Sequence, residues 1–333
     1  MGFAVGVGLT NDCNFACPHC YRDAHDIRHL SLEDLQRIFK SIPVDSVNLG
    51  TGENGTHPDY LRLAYWLVEQ DCKVTVTSNS LTVDMMPDDL LRRFAGVEYS
   101  LDFPDARRHD QFRGEGNFEA IFQSLARTRE LDVPASITAC MMNVNHDCLV
   151  DIGRLAFAHD ALFRVNVFQS STTDFFYLGY DQYWGGFERL LREFALVTTT
   201  EPVLAAALGL DDFEGCGCGR VTVRVSPKGT VIPCVYWPDD SMTLDDLEEM
   251  GEGVVEAPSF RAAREAPAEC RGCDFEPTCA GGCSARRLLE GSLDNADPYC
   301  RLLRQDPFDV PLRRAQGPDM PKARSACTTI FAP

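Results

Sequence analysis

Eleven of the fifteen cysteines in this 333-residue chain fall into two groups, and no other feature limits the fold as strongly. Cys13, Cys17 and Cys20 form one group near the start; Cys216, Cys218, Cys234, Cys270, Cys273, Cys279, Cys283 and Cys300 form the other. Disulfide scaffolds are short secreted chains that carry a signal peptide. The opening run MGFAVGVGLTND is apolar but has no basic flank, so it reads as a first strand. Clustered thiols in a long chain without such a signal point to metal, in a reducing, cytoplasmic setting. Cys72, Cys140, Cys148 and Cys327 stand outside the groups.

Short apolar runs alternate with amphipathic stretches over the first 200 residues. Strands are predicted at 3–9, 44–50, 73–78, 97–102, 134–142 and 163–169, and helices at 58–69, 87–95, 146–159 and 181–196. Ser31 is expected to cap a helix bearing Leu32, Leu35, Ile38 and Phe39, and Asn117 another bearing Phe118, Ile121, Phe122 and Leu125. Six strand–helix units imply parallel pairing through right-handed crossovers. They fall short of the ~250 residues of a full eight-stranded barrel. The fold class expected is therefore α/β, a partial (β/α)6 TIM-like barrel over 1–205, with its site at the C-terminal strand ends. Residues 206–306 form a small cysteine-rich domain that needs metal to fold, and 307–333 an extended tail.

Acidic residues number 50 against 31 basic ones, a net charge of −19. That balance opposes nucleic acid or an anionic membrane as partner, and no apolar run reaches the ~18 residues of a spanning helix.

Cys13, Cys17 and Cys20 make C-x3-C-x2-C directly after the first strand. Three thiolates so spaced can hold three corners of an iron–sulfur cube and leave one iron open. A three-cysteine zinc site with a distant fourth ligand, or His19, is the alternative. The motif in this position resembles the radical S-adenosylmethionine (SAM) superfamily. That resemblance implies a 4Fe–4S cluster whose open iron chelates SAM, and cleavage of SAM to a 5′-deoxyadenosyl radical. The superfamily's G-G-E-P element is matched in part by Thr51, Gly52 and Glu53, with Asn54 in place of proline. The resemblance places the SAM ammonium on Glu53 and the ribose near Ser78 and Asn79. Ser100 opens S-L-D, Arg113 suits the SAM carboxylate, and Asn166 and Val167 lie where a strand packs the adenine. Against these stand ordinary readings: Glu53 as an exposed loop acid and Arg113 as a surface arginine.

The second group reads Cys216, Cys218, Gly229-x4-Cys234, then Cys270-x2-Cys273-x5-Cys279-x3-Cys283 and Cys300. It resembles the SPASM domain, an auxiliary-cluster extension of peptide-modifying radical SAM enzymes such as peptide maturases and anaerobic sulfatase-maturating enzymes. Carried over, Cys216, Cys218, Cys234 and Cys283 would hold one auxiliary 4Fe–4S cluster, and Cys270, Cys273, Cys279 and Cys300 a second. Only Gly217 separates Cys216 from Cys218, so whether both bind iron stays open. Zinc knuckles are the alternative.

The resemblance implies a radical SAM oxidoreductase that abstracts hydrogen from a peptide or protein, giving a crosslink or similar oxidation of a ribosomal peptide. A small molecule such as an amino-sugar metabolite, dehydrogenated or epimerised, is the second reading, and a non-catalytic electron carrier a third. Cys140 is a candidate hydrogen donor, or else buried packing. Asp239, with Asp240, is a candidate base, or else a solvated acid. The first strand starts so early that no fused peptide-recognition domain is expected; a separate leader-recognition protein or a leaderless substrate would answer that. A flavodoxin or ferredoxin is expected as electron donor.

Overall fold

The structure, a computed structural model, describes residues 2–210, 212–213, 215–238, 241–316 and 327–333. Its strands are β1 (Phe3–Val7), β2 (Val44–Leu49), β3 (Lys73–Ser78), β4 (Gly96–Ser100), β5 (Ala135–Met141), β6 (Leu162–Val167), β7 (Ala195–Thr199), β8 (Thr222–Val225), β9 (Val231–Ile232) and β10 (Thr328–Ala332). They form one sheet in the order β7-β10-β6-β5-β4-β3-β2-β1-β8-β9. The pairs from β1 through β6 are all parallel, so the expected open, six-stranded α/β barrel is present. The helices pack the outer face, and the buried aliphatic residues Val5, Val47, Val76, Val97, Ile137 and Val165 form the layer between. Ser31 closes a capping box with Asp34, as its spacing predicts, and starts the helix Leu32–Ser41.

The helix expected from an Asn117 cap instead has Gly116 at its cap, with φ 76°. Asn117 is turned inward, where its amide donates to the Asn79 carbonyl at 2.6 Å and contacts His109 Nε2 at 3.0 Å. The helix expected at 87–95 is reduced to Asp88–Leu91. The region from 206 contains helices after all, such as Leu244–Met250 and Pro258–Arg264, each only seven residues long. Such lengths are too short to show a helical period.

The end of the expected tail joins the sheet as β10, which lies antiparallel between β6 and β7. At the opposite end of the sheet β8 runs parallel to β1. The cysteine-rich region is joined to the barrel through Arg286, which is 2% exposed. Its Nη2 donates to both Glu201 oxygens at 2.9 Å, its Nη1 lies 3.2 Å from Asp297, and its guanidinium sits over the Tyr299 ring.

Candidate functional site

At the C-terminal ends of β1–β6 lies a cavity of about 210 Å³. Its wall includes Cys13, Cys17, Cys20, Thr51, Gly52, Glu53, Ser78, Asn79, Ser100, Arg113, Cys140 and Asn166. Sequence reasoning named each of these. The cysteine loop is folded by its own polar residues. Asn11 Nδ2 donates to the carbonyls of Asp23 (2.7 Å) and Asp26 (2.8 Å), and Arg22 donates to those of Asn11 and Phe15.

The β2 loop is clamped onto this loop. Glu53 N–H donates to the Asp12 carbonyl at 2.8 Å. Gly52 has φ 64°, and a Cβ there would stand 2.4 Å from the Asp12 carbonyl oxygen, so only glycine fits. Thr51 replaces the first glycine of the motif and still adopts φ 79°. The strain, about 1–3 kcal/mol for such a residue, is offset by two contacts of its hydroxyl: Arg224 Nη2 at 2.7 Å and Tyr21 OH at 3.0 Å. Ser80, with φ 102°, is a second non-glycine in this unusual region.

Glu53 is buried, not an exposed loop acid. Its Oε1 accepts from Ser78 Oγ, Thr82 N–H and Thr82 Oγ, and its Oε2 from Asn79 N–H at 2.9 Å. Burial raises its carboxyl above the usual range, against the pull of these bonds. Glu53 thus joins the β2 and β3 loops, and Oε2, with one bond, keeps acceptor capacity at the cavity.

Arg113 is largely enclosed, its side chain 12% exposed. Its Nε donates to Asp102 Oδ2 at 2.7 Å, which leaves the two Nη groups of the fork for another acceptor. Asp102 also accepts from the Cys140 N–H at 2.9 Å. Burial alone would raise the Asp102 carboxyl; Arg113 and its other partners outweigh that and hold it low. His19 stacks on Phe112 with ring centroids 4.9 Å apart. Burial brings its pKa down to about 4.

Across the sheet, Ser100, Thr138 and Arg164 share one row, and Cys140, Asn166 and Thr328 the next. Arg164 pairs with Glu98 at 2.9 Å. Arg164, Glu98, Arg224, Tyr236 and Thr328 also line the cavity and were missed from sequence. Only period-two alternation with Ser100, Cys140 and Asn166 could have found the first two. Val167 turns its side chain into the core, which leaves its backbone for the contact the resemblance implies. Asp239 and Asp240 lie outside the described residues.

The second cysteine group divides between two smaller cavities. Cys216, Cys218, Cys234 and Cys283 line one. Cys270, Cys273 and Cys300 line the other, and Cys279 borders both. Asp297 braces them together: its Oδ2 accepts from the Cys283 N–H, and its carbonyl from the Cys300 N–H, both at 2.9 Å.

The Radical SAM superfamily profile matches residues 7–156. The chain carries a radical SAM domain. It is 28% identical over 325 residues to "Mycofactocin maturase MftC" of Mycobacterium ulcerans, covering 88% of this chain and 86% of that protein. It is 26% identical over 344 residues to "PqqA peptide cyclase" of Rhodopseudomonas palustris, covering 90% and 86%. In structure it resembles Streptococcus suis SuiB bound to precursor peptide SuiA, with TM-score 0.70 and 16% identity, covering 90% of this chain and 76% of that one. The radical SAM domain makes this chain an enzyme, and implies a 4Fe–4S cluster and SAM.

The residues present fit that pair. Three thiols face one cavity with a buried acid and a largely enclosed arginine fork. Thr138 Oγ, Asn166 Oδ1 and Gln169 Oε1 are buried in its wall without a hydrogen-bond partner among the described residues, as acceptors and donors for a polar ligand would be. No three His, Cys, Asp or Glu side chains among the described residues converge closely enough for a single metal ion. No described helix is long and apolar enough to cross a membrane.

Proposed function

We propose that this chain is a radical SAM peptide maturase that abstracts a hydrogen atom from a peptide and so starts an oxidative modification such as a crosslink. The names of its relatives support a peptide substrate. The observation that carries the reading is the placement of the eleven motif cysteines: three at the barrel mouth beside Glu53 and Arg113, and eight around two further cavities.

Residues 1–205 serve as the catalytic barrel, 206–306 as an auxiliary-cluster unit, and 307–333 as a tail that returns to the sheet. Cys13, Cys17 and Cys20 hold the first cluster. Glu53 Oε2 accepts from the SAM ammonium, and the Arg113 fork donates to its carboxylate. Asp102 keeps that fork aimed. Ser78, Asn79, Ser100 and Asn166 hold the nucleoside. When bound, the reduced cluster and SAM together supply a 5′-deoxyadenosyl radical. The wall of Thr138, Cys140 and Tyr236 keeps water from the reacting hydrogen. Cys216, Cys218, Cys234 and Cys283 would hold one auxiliary cluster, and Cys270, Cys273, Cys279 and Cys300 the other; such clusters would supply an acceptor for the one electron lost when a substrate radical is oxidised. A flavodoxin or ferredoxin reduces the enzyme in a reducing cytoplasm, and a separate protein presents the peptide leader.

Anaerobic reconstitution followed by iron and sulfide counts tests this reading. About twelve irons are expected. Cys13→Ala/Cys17→Ala/Cys20→Ala is expected to lose about four of them and all 5′-deoxyadenosine formation. Zinc in place of iron would overturn the reading. Turnover of a small metabolite with no turnover of any peptide would overturn the substrate class.

A further inference from the structure

Five thiols pack together beside the first auxiliary cavity. Cys218, Cys234 and Cys283 pack in one small buried cluster with Ile232, Trp237 and Ala285, and both Cys216 and Cys327 pack against it. The Cys216 and Cys327 sulfurs are 3.7 Å apart, although 111 residues separate them in sequence. Cys327 reaches this place because β10 begins at the next residue and is held between β6 and β7.

A 4Fe–4S cluster offers one protein position on each of its four irons, the other positions being taken by sulfide. Four thiolates saturate it, so five thiols leave one over. Two sulfurs in contact reach the same iron, and that iron accepts one of them. Cys218 is held in place, since the adjacent Gly217 carbonyl accepts from the N–H groups of Arg220, Val221 and Thr222 at 3.0–3.1 Å. Cys216 lies before that anchor, beside Gly215 at φ 93°.

We propose that Cys216 and Cys327 are alternative ligands to one iron of the first auxiliary cluster, so that the site owns a fifth, exchangeable thiol. The inference rests on the cluster reading above. It gives the strand β10 a chemical role, since Cys327 precedes Thr328, which lines the barrel cavity. Exchange of the thiol at the iron is thereby linked to the wall against which substrate lies.

The test uses the full chain carrying Cys13→Ala/Cys17→Ala/Cys20→Ala, because a three-thiol cluster at the barrel mouth would give the same signal as the one sought. Into it are placed Cys216→Ala, Cys327→Ala, or both. Each protein is reconstituted anaerobically, counted for iron, oxidised mildly and examined by EPR. Each single variant is expected to keep its fourth iron, because the other thiol takes the position. The double variant is expected to lose about one iron of that cluster's four and show a three-iron signal. The second auxiliary cluster, with about four irons of its own, reports in every variant that the domain has folded. A three-iron signal in either single variant as strong as in the double would overturn the sharing. So would a double variant without it. A parent protein that binds no iron would instead overturn the cluster reading, and this inference with it.

Discussion

Arg286→Met should loosen the cysteine-rich region from the barrel. The guanidinium is fully enclosed and neutralises two carboxylates, Glu201 on the barrel side and Asp297 on the other. Burial already lifts the Glu201 carboxyl above its usual range, against the pull of Arg286. Methionine fills much of the same volume, so the loss is mainly electrostatic: two acids left buried, close together and unpaired. Breaking a buried pair in this way costs about 3–5 kcal/mol. With a urea slope of about 4 kcal/mol/M for a chain of this size, the midpoint should fall by about 1 M. The assay is anaerobic urea unfolding of the reconstituted protein, followed by visible cluster absorbance and far-ultraviolet circular dichroism. Cluster absorbance should be lost first, since Asp297 also braces Cys283 and Cys300. Glu201→Gln/Arg286→Met should recover part of the loss by removing one stranded charge. A shift of only ~0.2 M, the size of an exposed pair's contribution, would refute the reasoning. So would a double variant no more stable than Arg286→Met.

Three further outcomes are expected. Arg113→Lys keeps the charge but loses the fork, so SAM affinity should fall roughly tenfold to a hundredfold, read by equilibrium binding, while the iron count stays unchanged. Gly282→Ala would set a Cβ 2.2 Å from that of Asp297 at a backbone φ of 94°; both auxiliary clusters should fail to assemble, seen as a loss of about eight irons. Cys140→Ala should leave product formation within about threefold, because an oxidative reaction returns no hydrogen to the substrate. Loss of product in that variant, with solvent deuterium entering the wild-type product, would favour epimerisation instead.

The barrel was legible because its local signals agree. The Ser31 cap, the apolar strands and the cysteine spacing each point to the same element order. The strands β7 to β10 were not foreseen. Thr328–Ala332 is five residues long, and its partners lie far away in sequence, so nothing local marks it as a strand. Glu53 and Arg113 were singled out through the family resemblance, and Cys140 by its place in the fifth strand. Their supports were not. Asp102 was read as part of a motif, yet it is the buried acid that orients Arg113. The positive φ of Thr51 could not be read from a β-branched residue, because the hydroxyl contacts that sustain it come from Tyr21 and Arg224, one of them on a distant strand.

The place of β10 in the sheet also bears on how the protein is made. Among the described strands, β6 lacks its second partner and β7 its only one until residues 328–332 have left the ribosome, after every cysteine in the sequence has been synthesised. For that interval a nascent barrel exposes two bare strand edges, the kind of surface on which chains aggregate. Slowed synthesis at low temperature, with iron and sulfide already at hand, should therefore raise the soluble yield more than later refolding can. A tag that crowds Ala332 should lower it.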